Sequence, residues 1–126
     1  LDLGQNCLGV AYVDGVRVNS LHGIKSLADA VAASKTLRRL AIGYNSLGPT
    51  AGAAIADAVA TSSSLAELDI AGNLIDLKGG KAIFEAALRN PRMVFVDMRF
   101  NGFDGKTKQL LQEMKVEVRP GLKIEL

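Results

Sequence analysis

Apolar residues follow two alternating spacings along the chain, and the whole pattern repeats. The segment LAIGYN at residues 40–45 returns as LDIAGN at 68–73 and as VDMRFN at 96–101, each time after 28 residues. A fourth copy, LDLGQN, occupies residues 1–6 but lies 39 residues before the next one, eleven more than the period. Within each copy apolar residues stand at every second position, and this spacing predicts a β-strand.

The second half of each unit has helical spacing. The segment IADAV at residues 55–59 has counterparts in LADAV at 27–31 and IFEAA at 83–87, so each unit reads strand, turn, helix, turn. Thr50 and Asp76 are the expected N-caps of the second and third helices. The predicted strands are 1–3, 38–42, 66–70, 94–98 and 122–126, and the predicted helices are 21–34, 50–61, 78–89 and 105–115.

The frames of pattern L-x-x-L-x-L-x-x-N that start at Leu37, Leu65 and Met93 resemble leucine-rich repeats. A 28-residue unit with a full helix is similar to the ribonuclease-inhibitor-like subclass. That subclass includes ribonuclease inhibitors, Ran GTPase-activating proteins, tropomodulins and the sensor ends of NOD-like receptors. The resemblance implies an α/β fold, a right-handed leucine-rich-repeat solenoid with a curved parallel sheet on its concave face and helices on its convex face. It implies little about function.

The asparagine that closes each strand segment is expected to be structural. Its side-chain amide can satisfy backbone groups where the strand leaves the sheet, and equivalent amides of successive repeats should stack. We therefore expect a buried ladder of Asn6, Asn45, Asn73 and Asn101.

The period indicates that residues 1–126 form a single leucine-rich-repeat domain. It comprises about four repeats and the strand of a fifth: 1–36, 37–64, 65–92, 93–120 and 121–126. Solenoids need terminal units with polar outer faces, yet Leu1 is already a core strand residue and the fourth repeat degenerates. We therefore expect a fragment of a larger protein, or a subunit whose ends are covered by further repeats or another subunit.

The eleven extra residues lie near 10–20 and contain a hairpin signal. Asp14-Gly15 is flanked by β-forming residues and suits a two-residue turn that needs positive φ. The hairpin either extends an interaction surface, with Tyr12 and Arg17 as loop contacts, or is a tolerated loop. Ran GTPase-activating proteins present an arginine from a loop near the concave edge, and Arg17 lies in a comparable loop. The alternative for Arg17 is an outward-facing strand residue.

Composition and charge argue against several classes of function. The net charge is +2 with both signs mixed along the chain, so nucleic-acid binding is not expected. Cys7 and His22 are the only cysteine and histidine, so we expect no metal site, no cofactor, no catalytic residue and no enzyme activity. No apolar run approaches the roughly 18 residues that span a bilayer. A lone cysteine favours a reducing compartment, so the expected location is cytoplasmic, without a membrane.

The residues between the buried apolar positions of each strand are expected on the concave face. Asp69 and Asp97 should lie side by side, where like charges about 4.8 Å apart disfavour each other. Arg99 is placed to neutralise Asp97, and an exposed Phe95 would need a partner or a covering segment. The predicted protein-binding residues are Arg39, Tyr44, Glu67, Asp69, Phe95, Asp97, Arg99 and Phe100.

These residue types favour a non-catalytic scaffold that holds a protein partner of unknown identity on the concave face. Aromatic and arginine side chains are enriched at protein interfaces. Two alternatives stay open at this point. One is a GTPase-activating protein that resembles the Ran GTPase-activating class, and the other is a structural subunit of a larger assembly.

Overall fold

A computed structural model describes residues 1–14, 16–19 and 21–126, without the side chains of 10–13, 16–19 and 115–118. In these residues the chain forms six strands and four helices. They are β1 (Val10–Val13), β2 (Val16–Asn19), α1 (His22–Ala33), β3 (Arg39–Ala41), α2 (Ala51–Thr61), β4 (Glu67–Asp69), α3 (Leu77–Arg89), β5 (Phe95–Asp97), α4 (Gly105–Val118) and β6 (Lys123–Glu125). The alternation of short strands and helices predicted from the two spacings is confirmed.

The last helix is longer than the sequence predicts. Its expected end at residue 115 is wrong, because α4 continues to Val118. The polar turn that closes the other helices is missing here, and the chain next meets Pro120. A proline disfavours helical backbone in the residue before it. Arg119 is that residue, so the helix stops immediately before it.

The four repeat strands form one parallel sheet in the order β3-β4-β5-β6. Each residue pairs with the one 28 positions later, as in Leu40 with Leu68. Asp2 forms an isolated parallel bridge to Ala41, so the first repeat joins the same sheet. Strands β1 and β2 pair separately and antiparallel on either side of Asp14, which has φ 50°. Gly15, the second expected turn residue, lies outside the described residues.

The core lies between this sheet and the helices. The central residue of every repeat strand is at most 5% exposed and faces the helices: Leu40, Leu68, Val96 and Ile124. Burial of such a side chain contributes about 1.5–3 kcal/mol. Gly52 of α2 meets Gly79 of α3 so closely that a Cβ on Gly52 would collide with the Gly79 backbone. Small residues therefore let neighbouring helices pack on each other.

Three of the four expected ladder asparagines are buried. The Asn73 amide donates to the carbonyls of Ile42, at 2.9 Å, and Ile70, at 3.1 Å, while its oxygen accepts from the Asn45 N–H at 2.8 Å. Each such side chain therefore joins two repeats. The prediction is wrong for Asn6, which is exposed and bonds only within its own repeat. Among the described residues the Asn6 amide bonds the Leu3 and Gly4 carbonyls, so it closes its own turn and does not bridge two repeats.

Of the two predicted helix N-caps, one is confirmed and one is wrong. The Asp76 carboxylate accepts the Gly79 N–H at 2.7 Å and caps α3 as expected. Thr50 already has helical backbone angles, φ −82° and ψ −14°, and makes no side-chain cap bond. The Gly48 carbonyl instead accepts the Ala51 N–H at 3.4 Å. The turn at Gly48 and Pro49 thus starts α2 without a hydroxyl cap.

Candidate functional site

The sheet face turned away from the helices carries side chains in two register rows. These rows define the concave face: Arg39, Glu67, Phe95 and Lys123, then Ala41, Asp69, Asp97 and Glu125. Asp2 bridges to Ala41 and continues the second row. At one end of the face an exposed ion pair joins Arg39 to Glu67 at 3.8 Å. The structure therefore brings five predicted binding residues onto one surface.

Arg99 lies at the centre of an ionic network over β5 and β6. Its Nη2 donates to Asp97 Oδ2 at 2.7 Å, and its Nε lies 3.2 Å from Glu125 Oε2. Lys123 Nζ contacts the other Glu125 oxygen at 2.7 Å. Only 8% of the Asp97 side chain is exposed, against 48% of the Arg99 side chain. Arg99 is therefore the member of this pair that solvent reaches, whereas Asp97 is largely covered.

Phe95 is half-buried rather than freely exposed. The Lys123 ammonium lies 5.4 Å from the centre of its ring, which is a cation–π distance. Alternation along the strand places Phe95 on the concave face, but it cannot show that a lysine of the next strand covers the ring. Part of the contact surface expected of this side chain is thus used within the chain.

The network shifts the titration of both members of its central pair. Burial would raise the pKa of Asp97, but the hydrogen bonds from Arg99 and the charges of Arg99 and Lys123 outweigh it, so this pKa lies below 3.8. The hydrogen bond and the charge of Asp97 raise the pKa of Arg99 above its usual value. Both groups are therefore charged at neutral pH.

The recurring aspartates share a contact with their own strand ends. The Oδ1 atom of each accepts the backbone N–H two residues later: Asp2 from Gly4 at 2.9 Å, Asp69 from Ala71 at 3.0 Å and Asp97 from Arg99 at 3.0 Å. This local turn bond explains why aspartate recurs without any ligand. Asp69 differs from Asp97, however, because it makes no ion pair within the part of the chain that the structure describes.

Two aromatic side chains stand exposed where β3 and β5 end. Tyr44 is 53% and Phe100 67% exposed, and their ring centres lie 6.4 Å apart. The Arg99 guanidinium lies 5.8 Å from the Phe100 ring centre. We call Tyr44, Arg99 and Phe100 the strand-end patch. It joins the expected hot-spot residues to the ionic network beside them.

The backbone of the strand-end patch is strained. Tyr44 and Phe100 have φ of 57° and 59°, in the left-handed region where Gly72 stands in the intervening repeat. Leu74, on the other side of the ladder asparagine, has φ 58° and is 67% exposed. Bulky residues in this region cost about 1–2 kcal/mol each. Sequence reasoning missed Leu74, although the equivalent positions hold Ser46 and Gly102.

Comparison with known proteins decides the fold. A family model described as Leucine Rich repeat matches residues 33–56 and 61–84. A solved structure titled "Leiomodin-1 Actin-Binding Site 2 (ABS2)" is 17% identical with a TM-score of 0.77, covering 98% of this chain and 68% of that one. A Caenorhabditis elegans tropomodulin C-terminal domain is 17% identical with a TM-score of 0.73, covering 85% of this chain and 66% of that one.

The fold is that of a leucine-rich-repeat protein. A search of curated protein sequences returns no match. This chain spans about two thirds of the length of each of the two solved chains.

At the opposite ends of the strands, where helices end and strands begin, polar side chains bond carbonyls at the junction with the preceding leucine-rich repeat. Ser64 donates to the Ser34 and Leu37 carbonyls, and the Asn90 amide donates to the Ser62 carbonyl at 3.0 Å. The Arg119 guanidinium bonds four carbonyls: those of Ala87, Asn90, Pro91 and Met93. We call Ser64, Asn90 and Arg119 the helix-end clamp. Sequence reasoning missed it, although Ser64 and Asn90 stand near the helix ends of successive repeats.

The remaining predicted contacts lie in the hairpin. Tyr12 and Arg17 are register partners across β1 and β2, but their side chains lie outside the described residues. Among the residues that are described, no group of three or more His, Cys, Asp or Glu is arranged to hold a metal ion. No helix in that part of the chain is long and apolar enough to cross a membrane.

Proposed function

We propose that this chain is a non-catalytic protein-interaction scaffold that binds a protein partner on its concave face. The strand-end patch is the centre of the contact. One observation carries this proposal: two exposed aromatic rings are held in left-handed backbone that glycine would adopt without strain. The same left-handed backbone recurs at Gln5 and Gly72, so the turn itself requires it, whereas large rings exposed at this position are required by neither the turn nor the core.

Further support comes from the surroundings of the two rings. Aromatic and arginine side chains dominate binding energy where they lie close together, and Arg99 lies beside Phe100. The ionic network holds Arg99 in place before any partner arrives, which lowers the entropy lost on binding. The patch is thus prepared for contact without a change in the sheet.

The similar solved structures are compatible with this class of function. The leiomodin chain is titled as an actin-binding site, and we propose that the present chain shares the use of the fold as a binding surface, with a partner still to be identified. We also propose the ribonuclease-inhibitor-like subclass. The 28-residue register of the sheet and the helices of 11–13 residues in the two middle repeats support that assignment.

Partner capture with matched variants tests the function. The chain, a Tyr44→Ser/Phe100→Ser double variant and a Leu110→Ser control are immobilised, and proteins retained from cells of the source organism are quantified by mass spectrometry. Leu110 is 53% exposed, as Tyr44 is, but lies on α4. We expect a protein that wild type and the control retain equally and that the double variant retains at least about tenfold less.

Circular dichroism shows in parallel whether the double variant keeps its fold. A folded double variant that retains the same proteins as wild type would remove the strand-end patch from the proposal. Equal loss in the Leu110→Ser control would show that capture depends on general apolar surface instead.

A further inference from the structure

Two neighbouring repeats hold a carboxylate in the same pose on the concave face. Asp69 of β4 and Asp97 of β5 are register partners. Each accepts the backbone N–H two residues later at 3.0 Å, Asp69 from Ala71 and Asp97 from Arg99. The backbone bond therefore directs both carboxylates alike, and one repeat can serve as a template for the other.

The repeats differ in what approaches the carboxylate. Arg99 bonds Asp97 through Nε and Nη2, at 3.0 and 2.7 Å. The residue equivalent to Arg99 beside Asp69 is Ala71, which has no group that could reach it. Arg99 also contacts Glu125 of β6 at 3.2 Å, so it leans away from β4. The position that a guanidinium occupies at Asp97 has no counterpart from this chain at Asp69, within the described side chains.

The charges on the described concave face also indicate that Asp69 lacks a cation from this chain. Its carboxylates are those of Asp2, Glu67, Asp69, Asp97 and Glu125, and its cations are those of Arg39, Arg99 and Lys123. Five negative and three positive side chains leave a net charge of −2. The contacts of Glu67, Asp97 and Glu125 use all three cations. The uncompensated charge therefore lies on the side of the face that includes Asp69.

An aromatic ring lies near the strand end of both repeats. In the Asp97 repeat the ring is Phe100, 5.8 Å from the Arg99 guanidinium. In the Asp69 repeat the equivalent residue is Gly72, and the ring of Tyr44 from the preceding repeat covers it: a Cβ on Gly72 would lie 2.5 Å from Tyr44 Cδ1. Phe100 thus lies beside the cation that Asp97 binds, and the Tyr44 ring lies against Gly72, three residues after Asp69.

We propose that Asp69 and Tyr44 bind an arginine side chain of the partner protein, in the position that Arg99 occupies at Asp97. The inference rests on the proposed function and adds the chemistry of the partner. Arginine fits better than lysine, because its planar fork bonds both oxygens of a carboxylate and stacks on an aromatic face. Asp69 is half-buried, so the bond is partly shielded from water and salt.

Amide chemical shifts measured during a peptide titration test this site without knowledge of the partner. The probes are three capped tripeptides, Gly-Arg-Gly, Gly-Lys-Gly and Gly-citrulline-Gly, titrated into the isotope-labelled chain. We expect saturable shifts of the Ala71 and Gly72 amides with the arginine peptide, at least threefold weaker binding of the lysine peptide, and no saturation with neutral citrulline. Equal responses to all three peptides would overturn the proposal.

Variants locate the binding. Asp69→Asn keeps an oxygen for the Ala71 N–H but removes the charge, and should abolish saturation by the arginine peptide. Tyr44→Leu should weaken binding about two- to fivefold. Asp57→Asn removes an exposed carboxylate of α2 and should leave binding unchanged. Unchanged binding in Asp69→Asn, with the fold intact by circular dichroism, would sink the arginine site.

The two proposals fail separately. Asp69→Asn leaves Phe100 and Arg99 in place, so capture of a partner that persists in this variant would reject the arginine site and keep the scaffold. Loss of captured partner in Asp69→Asn, together with loss of peptide saturation, supports both. Peptide saturation without any captured partner would keep the arginine site and reject the scaffold.

Discussion

The two ends of the repeat strands use polar and apolar side chains in opposite ways. Where strands end, the polar ladder asparagines are buried and the neighbouring residues Tyr44 and Phe100 expose large rings. Where helices end, the helix-end clamp directs polar groups onto carbonyls of the preceding repeat. At the helix ends, polar side chains are used up in bonds to the backbone. At the strand ends, the buried asparagines satisfy the backbone, and the side chains of Tyr44 and Phe100 stay free for contact.

This difference follows from where the backbone polar groups are satisfied. At the strand ends a single buried asparagine amide donates to carbonyls of two repeats, so the flanking side chains are not needed to satisfy the backbone. At the helix ends the exposed carbonyls need external donors, and side chains such as Arg119 must supply them. An interaction surface is therefore expected where the strands end rather than where the helices end.

The largest expected effect is the loss of a ladder amide. Asn73→Ala removes three bonds from the side-chain amide to carbonyls and leaves the buried Asn45 N–H without its acceptor. Since an unsatisfied buried group costs about 1–3 kcal/mol, we expect the free energy of unfolding to fall by about 3 kcal/mol in urea titrations. The exposed Asn6→Ala should cost under about 0.5 kcal/mol. A similar loss in both variants would contradict the assignment of the ladder.

Removal of the helix-end clamp should have the next largest effect. Arg119→Ala removes the guanidinium bonds to four carbonyls, of which that of Asn90 keeps the Met93 N–H as a donor. We expect a loss of about 2 kcal/mol in urea titrations, since water replaces part of these bonds. Arg119→Lys should recover only part of it, because an ammonium lacks the planar fork. The control Arg92→Ala changes an exposed arginine of the same turn, and an equal loss there would reject the clamp.

The ionic network should make stability depend on acidity. The pKa of Asp97 is lowered in the folded chain, so its contribution to stability is complete above about pH 5 and is lost progressively as the pH falls through the folded value. Asp97→Asn should cost about 1 kcal/mol at pH 7 and lose less than wild type between pH 5 and pH 3. Urea midpoints measured at these pH values decide, and parallel pH curves would disprove the role of Asp97.

The smallest expected effect has the opposite sign. Leu74→Gly relieves left-handed backbone at an exposed residue and should stabilise the chain by about 0.5 kcal/mol. Leu110→Gly places the same residue within α4 and should destabilise it by about 1 kcal/mol. Thermal unfolding compares the two directly. Destabilisation by both glycines would show that the backbone at Leu74 is not strained.

Much of the fold follows from local patterns. The frames that start at Leu37 and Leu65 predict strands and helices because periodicity reports which side of an element is buried. The Asp76 cap can also be predicted from the sequence, because it needs only the N–H three residues later. Thr50 has the right type and position, yet the turn at Pro49 already supplies helical backbone.

The site was less predictable, because its contacts join different strands. The sequence places Asp97 and Arg99 on one face, but not the burial of Asp97, the second contact of Arg99 with Glu125 or the cover that Lys123 gives Phe95. Arg119 bonds residues 26–32 positions earlier from a degenerate repeat. Such contacts depend on side-chain rotamers across repeats, which periodicity does not encode.

The asparagine ladder also determines how the chain can open. The Asn101 oxygen accepts the N–H groups of Asn73 and Ile75, and the Asn73 oxygen accepts that of Asn45. No repeat of the ladder can detach without leaving a neighbour's amide unpaired, so these three amides belong to one cooperative unit. Hydrogen exchange should therefore proceed from them at a common free energy near that of global unfolding, rather than repeat by repeat from either end.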